Sequence, residues 1–451
     1  MRHVAAWMLL VVLFFSAHGC TFFSPRPKNM LRTVLYMAPR ADSVESKKFS
    51  SKMDRVTGTK ATEGNRVQLL TNGGETFPAM LAAIDNAKKC ISLEVYKIHM
   101  DSEGTCFIRA LTRAAWRGVK VRFLYDAYGS RSITYGDFAE LIDAGAAVCV
   151  FNPVLWLTFL RLNNRDHHKI LVVDGRIAFL GGLNLAEEYD GNGLTGWRDT
   201  ALMIEGPAAL DAERVFNESW LQGGIGLIGK DLPVVGINPL KRAIDSPFVW
   251  LLDLEGELCL SEHKPSAGDT ARVRIVPSNP DALNSTIVDK YLLAINSARK
   301  SIAITSAYFL PPLVLRRALV NAAKRGVRVR LILQGASGTP LVRTITIGYY
   351  GRLLKYGVEI YEWSTSVLHA KTMVVDGVWL TIGSANLDSR ALFLNYEVNA
   401  AVIDCQLAVT MEEQFERDLK HCHRVTLEEW RKRPLTQLMA EILLTPLTGQ
   451  F

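Results

Sequence analysis

The chain has 451 residues, 49% of them apolar, which is ample for a core and longer than one core usually supports, so two domains or one duplicated unit is expected. The formal charge of +7 favours an anionic partner, membrane phosphate or nucleic acid, without choosing between them. Seven cysteines scattered without C-x-x-C spacing exclude a zinc ribbon or a disulfide framework as the organising principle.

The first element is MRHVAAWMLLVVLFFSAHGC, a short basic start, fourteen uncharged residues from Val4 to Ala17, and then Gly19-Cys20. This is a secretory-signal pattern. Its ending resembles a bacterial lipoprotein box with Cys20 as the lipidated residue, although Ala17 and His18 depart from the usual leucine and small residue. A spanning helix needs about 20 apolar residues; Val4 to Phe23 supplies them only by carrying His18 in the bilayer. As lipid anchor or uncleaved signal anchor, residues 1–23 are expected to hold the protein on a cell membrane. Residues 24–65 read as a polar tether.

From residue 66 to 222, short apolar strands alternate with amphipathic helices: Ile91 to Tyr96 as strand, Cys106 to Trp116 as helix, Val119 to Tyr125 as strand, Phe138 to Ala144 as helix. Units of this kind make a largely parallel sheet covered by helices on both faces. The stretch FNPVLWLTFLRLNNRD (151–166) is apolar enough, with Trp156, Leu157, Phe159 and Leu160, for a loop dipping into lipid or for core packing. Residues 223–269 are rich in Gly, Pro and apolar residues and read as an irregular connection, and residues 270–451 as a second unit ending in helices.

That second unit repeats the first. RDHHKILVVDGRIAFLGGLN (165–184) is answered by the run ending LHAKTMVVDGVWLTIGSAN, so that His369, Lys371, Asp376 and Asn386 stand where His167, Lys169, Asp174 and Asn184 do, each 202 residues on. Upstream, ALTRAAWRGVKVRFLYDAYGS (110–130) is answered by ALVNAAKRGVRVRLILQGASG (318–338). Residues two apart on a strand share a face, so each His projects with its Lys. Two such strand starts brought face to face assemble two imidazoles and two ammonium groups, a phosphate site with its own nucleophile. The lysines neutralise nonbridging oxygens, one histidine attacks phosphorus and the other protonates the departing alcohol. Each histidine needs a group on its second nitrogen, for which Asp199 in GWRDT and Glu397 in NYEVN are the candidates. Asp174-Gly175 and Asp376-Gly377 carry the Asp-Gly signature of a hairpin turn, a structural role. His168 reads as a loop contact, Tyr96 and Tyr308 as pocket lining or core, and His421-Cys422-His423 as a surface cluster without metal-ligand spacing.

Paired H-x-K-x4-D motifs followed by G-S/G-x-N resemble the phospholipase D superfamily, and the likeness runs from residue 66 to 435. Within it the chain is most similar to bacterial cardiolipin synthases of the type lacking two N-terminal membrane spans. The resemblance implies an α/β fold of two similar lobes, each a mostly parallel sheet flanked by helices, with one active site at their interface. It implies a catalytic set of His167, Lys169, Asp174, His369, Lys371 and Asp376, phosphate-binding or supporting residues Asn184, Ser384 and Asn386, and Asp199 and Glu397 orienting the histidines. The family serine is Ser384; the first copy has Gly182 there, so that hydroxyl is missing on one side. The implied reaction moves a phosphatidyl group from one phosphatidylglycerol to another through a phosphohistidine, releasing glycerol, with no metal, no nucleotide or other cofactor and no obligatory protein partner. The rival readings are a phospholipase D that uses water as acceptor, a nuclease, and a membrane-bound lipid binder without turnover. No stretch interleaves basic residues with stacking aromatics, so no nucleic-acid partner is expected.

Overall fold

Each copy of the repeated unit folds into the same succession of strands. In the first lobe these are β1 (Thr62–Thr71), β2 (Cys90–Val95), β3 (Lys120–Asp126), β4 (Ala147–Phe151), β5 (Lys169–Val173), β6 (Ile177–Gly181) and β7 (Thr200–Glu205). The second lobe has β8 (Ala271–Ser278), β9 (Ser301–Ser306), β10 (Arg328–Gln334), β11 (Glu359–Trp363), β12 (Lys371–Val375), β13 (Trp379–Gly383) and β14 (Glu397–Ile403), with β15 (Cys422–Val425) added at its edge. The structure, a computed structural model, describes residues 42–152, 164–223, 268–280, 286–336 and 338–445. Strands from both lobes join in one sheet of order β15-β11-β10-β9-β12-β13-β14-β8-β1-β7-β6-β5-β2-β3-β4. Read outward from the β1 to β8 contact, corresponding strands come in the same order on both sides, so an approximate two-fold passes through that contact.

The α/β class and the two-lobed arrangement hold, but the expectation of a mostly parallel sheet is corrected. Only β2 with β3, β3 with β4, β9 with β10 and β10 with β11 run parallel among the described pairs. Neighbouring strands of these pairs are joined through helices, as β2 and β3 are by Ser102–Trp116 and β9 and β10 by Leu313–Lys324. From β5 to β7, and again from β12 to β14, the chain returns without a crossover helix, and strands so joined are antiparallel.

The local signals behind these elements repeat as well. The helix Ser102–Trp116 starts four residues before the apolar stripe because the Asp101 carboxylate accepts from the amides of Glu103 and Gly104. It ends at Gly118, whose φ of 86° closes the helix and lets the Val119 amide reach the Ala114 carbonyl at 3.1 Å. Gly326, with φ 88°, does the same after the helix Leu313–Lys324, and Val327 reaches Ala322 at 3.1 Å. The segment 138–144 is split, with a 3-10 turn at Tyr135–Phe138 before a short helix Ala139–Asp143.

The strands that follow the two motifs are buried on both faces. Leu171 and Val173 of β5 pack in the first lobe's core and Met373 and Val375 of β12 in the second's. Their alternating neighbours Ile170, Val172 and Val374 join a third cluster that contains residues of both lobes, including Leu202, Val273, Leu380 and Val398. The helices Ala208–Gly223 and Cys405–Leu419 cover this shared core with Ala208, Ala212, Leu407 and Met411. Burial of this continuous apolar core, at about 25 cal/mol per Å² removed from water, fixes the two strand starts relative to each other.

Part of the expected tether is structured. Residues 47–57 form a helix capped by Ser46, and Val44, Phe49 and Met53 are buried in the second lobe's core. The apolar stripe Phe49, Met53 and Val56 at helical spacing outweighs the polar composition that suggested a linker. Residues 1–23 with Cys20, the apolar loop residues from Trp156 to Leu160 and most of the 223–269 connection lie outside the described residues. Among the described residues no helix is long and apolar enough to cross a membrane.

Candidate active site

Backbone pairing between the lobes sets the site. Asp166 forms an isolated parallel bridge with Tyr396, and Arg198 forms one with Leu368. The His167 amide donates to the Tyr396 carbonyl at 2.9 Å and the His369 amide to the Arg198 carbonyl at 2.7 Å. One residue beyond each bridge stand a histidine from one lobe and a carboxylate from the other. His167 Nδ1 lies 2.9 Å from Glu397, and His369 Nδ1 lies 2.7 Å from Asp199 Oδ2. Both carboxylates are fully buried. With Nδ1–H donated to a carboxylate, each Nε2 is left as the acceptor or nucleophilic nitrogen.

Both imidazoles line one cavity of about 830 Å³, together with Asn184, Asn386, Tyr96, Tyr308, Tyr189 and Trp197. Tyr96 packs edge-on against His167 at 4.9 Å between ring centroids, and Tyr189 and Trp197 pack against His369 at 5.2 and 5.4 Å. The lysines sit beneath this wall. Lys169 Nζ donates to the His167 carbonyl at 2.8 Å, and Lys371 Nζ donates to the His369 carbonyl and lies 2.9 Å from its Nδ1.

Burial dominates the electrostatics of the cavity wall. Burial pushes Lys169 down to about 7, with the Lys371 charge adding to it, and burial pushes Lys371 down to about 8. Burial and the Lys371 ammonium take His369 down to about 3, against the pull of Asp199, and burial followed by both lysines holds His167 well below its ordinary value. Burial raises Glu397 to about 7, opposed by Lys169 and by the Ser384 hydroxyl.

The remaining residues singled out in the sequence fall into three places. Asn184 and Asn386 are on the cavity wall, but they differ. Asn184 accepts from the Lys97 amide at 3.2 Å and donates to the Tyr189 hydroxyl at 2.7 Å, whereas the buried Asn386 Oδ1 has no hydrogen-bond partner. Ser384 lies behind the wall, its hydroxyl donating to Glu397 Oε2 at 2.5 Å. Opposite it, a Cβ on Gly182 would stand 2.4 Å from Asp199 Oδ1, so the glycine makes room for the shorter carboxylate.

Asp174 and Asp376 lie at the far end of the hairpins, away from the cavity. Each takes a left-handed φ, 53° and 56°, at its Asp-Gly turn. Asp174 accepts from the amides of Lys88, Lys89 and Cys90, and Asp376 from those of Arg299, Lys300 and Ser301. Their place in the catalytic set is therefore corrected to the turn role, because carboxylates saturated by backbone donors 5 residues from the lysines have no route to the reacting groups.

Tyr189, Trp197, Arg165 and Arg390 also line the cavity and were not singled out in the sequence. Trp197 had a signal, since it stands two residues before Asp199 in an extended segment and shares its side. His168 is buried, with Nδ1 3.0 Å from Glu94 and 3.2 Å from Ser219. Glu94, Asp166 and His168 have the donor set of a metal site, their ligand atoms lying within 4.8 Å of one another. Burial raises Glu94 to about 8 and, with the Glu94 charge adding to it, Asp166 well above its ordinary value. His421, Cys422 and His423 do not converge: the His421 ring faces Trp363, Cys422 Sγ meets the Asp418 carbonyl, and His423 meets Glu429.

Comparison with known proteins agrees with this geometry. The family model described as "Cardiolipin synthase, PLD-like domain" matches residues 80–220 and 291–419. A protein named cardiolipin synthase from Clostridium perfringens (strain SM101 / Type A) is 32% identical over 436 residues, covering 93% of this chain and 87% of its own. Another of that name, from Geobacillus kaustophilus (strain HTA426), is 35% identical over 390 residues, covering 85% and 72%. The crystal structure of phosphatidylserine synthase from Haemophilus influenzae Rd KW20 superposes with a TM-score of 0.65 over 89% of this chain and 100% of that one, at 15% identity, a likeness of fold alone. A duplicated motif meeting in one cavity, a matching domain model in both lobes and relatives along nearly the whole length converge on one conclusion: the chain belongs to the cardiolipin synthase family of phospholipase D-like proteins.

Proposed function

We propose that the protein is a cardiolipin synthase, a phosphatidyltransferase acting on two molecules of phosphatidylglycerol. The observation that carries this reading is the pair of imidazoles on one cavity, each held by a carboxylate of the opposite lobe. The Nε2 of one histidine attacks the phosphorus of the first lipid, forming a P–N bond as the P–O bond to glycerol breaks. The other histidine, protonated once the anionic phosphate is bound beside it, gives its proton to the departing glycerol oxygen. Now neutral, it takes the proton from a hydroxyl of the second lipid's glycerol headgroup, and that oxygen attacks phosphorus. The P–N bond breaks, cardiolipin leaves and the first histidine is free.

Lys169 and Lys371 stabilise the nonbridging oxygens as charge builds, and Asn184 and Asn386 position the phosphate. Asp199 and Glu397 keep the attacking tautomer and stabilise the imidazolium. Ser384 supports Glu397, and the turn aspartates hold the hairpins that carry the motifs. The names and the extent of the relatives support the choice of substrate. The reading keeps residues 66–222 and 270–451 as the two lobes and residues 1–23, with Cys20 as the lipidated residue, as the membrane anchor. The sequence supports that anchor.

Purified protein in mixed micelles with EDTA is expected to convert labelled phosphatidylglycerol to cardiolipin and glycerol. His167→Ala and His369→Ala are each expected to abolish this. Phosphatidic acid as the main product makes water the acceptor, and full turnover in either variant overturns the mechanism.

A further inference from the structure

The helix Leu435–Leu444 is amphipathic the wrong way round for a soluble surface. Leu435, Leu438, Met439, Ile442 and Leu443, at the spacing of one helical face, are 77, 38, 63, 65 and 66% exposed. The inward face carries Glu441, buried and bonded by Arg433 at 2.8 and 3.1 Å over Gly348 of the helix Pro340–Lys355. This ion pair and the Trp430 indole, which donates to the Ile347 carbonyl at 2.8 Å, dock the helix with its apolar side outward.

The position of that face bears on the cavity. Leu444 packs against Leu310, Val342 and Ile345, together with Tyr308. Tyr308 and Val342 in turn line the cavity, as do Thr339 and Pro340 at the start of the underlying helix. The exposed face is thus one layer of side chains from the histidines' cavity. Beside it the exposed Arg431 and Lys432 precede the helix, and Arg352 and Lys355 are exposed on the helix beneath. Lys432 is paired with Glu428 at 2.5 Å. Apolar side chains flanked by basic ones complement an anionic lipid surface.

We infer that the helix Leu435–Leu444 lies in the plane of an anionic phospholipid surface, its five apolar side chains among the acyl chains, and sets the cavity at the level from which two-chain substrates enter. Ten residues at 1.5 Å each do not span a bilayer, so the contact is in-plane. A second copy of the chain is a poorer occupant, because five side chains fall far short of the roughly 20–30 residues a side of a stable interface. The inference takes its substrate from the proposed transferase reading, whereas the occupant of the helix face is argued from exposure and charge alone.

The test uses the full chain, with Met439→p-benzoylphenylalanine or Ile442→p-benzoylphenylalanine, in vesicles of phosphatidylglycerol and phosphatidylethanolamine. Irradiation is expected to give adducts heavier by one phospholipid. A covalent dimer, a crosslink to the apolar residues 4–17, or no adduct overturns the inference. In a second measurement, M439D/I442D is expected to lower the ratio of turnover on vesicles to turnover on monomeric dihexanoyl phosphatidylglycerol at least tenfold, and an unchanged ratio overturns it. The crosslink is read without turnover, so lipid adducts without any cardiolipin formation would refute the transferase reading while leaving the surface contact standing.

Discussion

His369 takes its carboxylate partner, Asp199, from the other lobe, 170 residues away in sequence and 2.7 Å away in space. Asp199→Asn keeps the size of the side chain but removes the charge that stabilises the imidazolium and permits the amide to donate to Nδ1, selecting the wrong tautomer. Turnover is expected to fall by about 10²–10⁴ with little change in KM, by analogy with the loss of a triad aspartate. Steady-state cardiolipin formation measures it, and a loss confined to KM would point to a packing role instead.

Gly182 and Ser384 occupy equivalent positions and are expected to differ widely in their sensitivity to substitution by alanine. Gly182→Ala drives a methyl group to 2.4 Å from Asp199 Oδ1 and must displace the carboxylate from His369. Ser384→Ala only removes one donor from Glu397. The first is expected to approach the loss seen in Asp199→Asn, and the second to cost about 10-fold, the lower end for a supporting hydrogen bond.

Asp376→Ala is expected to reduce stability without reducing turnover per folded molecule. It deletes an acceptor of three backbone amides, of Arg299, Lys300 and Ser301, and hydrogen bonds to a charged group contribute about 1.5–3 kcal/mol. Denaturant unfolding and active-site titration separate the two effects, and turnover lost in proportion to neither would return the aspartate to the catalytic set.

Lys169→Met is expected to inactivate the enzyme and yet stabilise the empty protein at neutral pH. Lys169 is charged in both folded and unfolded chains below about 7, so the fold bears the full cost of burying the ammonium there. Between about 7 and the ordinary lysine value of 10.5, the unfolded chain holds a proton that the folded one has released, and wild-type stability rises with pH. The melting advantage of the variant should therefore be largest at or below pH 7 and fade toward pH 10, at about 1 °C for each kcal/mol relieved in a cooperative unit of this size. A constant advantage across that range would assign the effect to packing.

The residues that meet at the cavity were legible because the sequence carries the same motif twice at one spacing. His167, Lys169, His369 and Lys371, and Asp199 and Glu397 with them, were all read from position alone. What one copy of the motif does not contain is which carboxylate serves which histidine. That reciprocity depends on the parallel bridges of Asp166 with Tyr396 and Arg198 with Leu368, and contacts between lobes leave no periodicity in either one. Strand direction failed for a related reason: the helical crossovers near β3 and β10 were extrapolated to the meanders that follow the motifs. The aromatic wall of Tyr189 and Trp197 was missed because the second lobe has no counterpart to it, the equivalent stretch being the helix Ser389–Phe393.

The exchange of carboxylates across the β1 to β8 contact has the self-matching form of an isologous dimer, in which residue i of one half meets j of the other and j meets i. A single half-length polypeptide bearing one histidine and one acid already holds every group needed to complete such a centre by pairing with its own twin. Fusion into one gene product removes the demand that both halves be identical. The glycine on one side and the serine on the other, like the aspartate and the glutamate, are differences that only a tethered pair can keep.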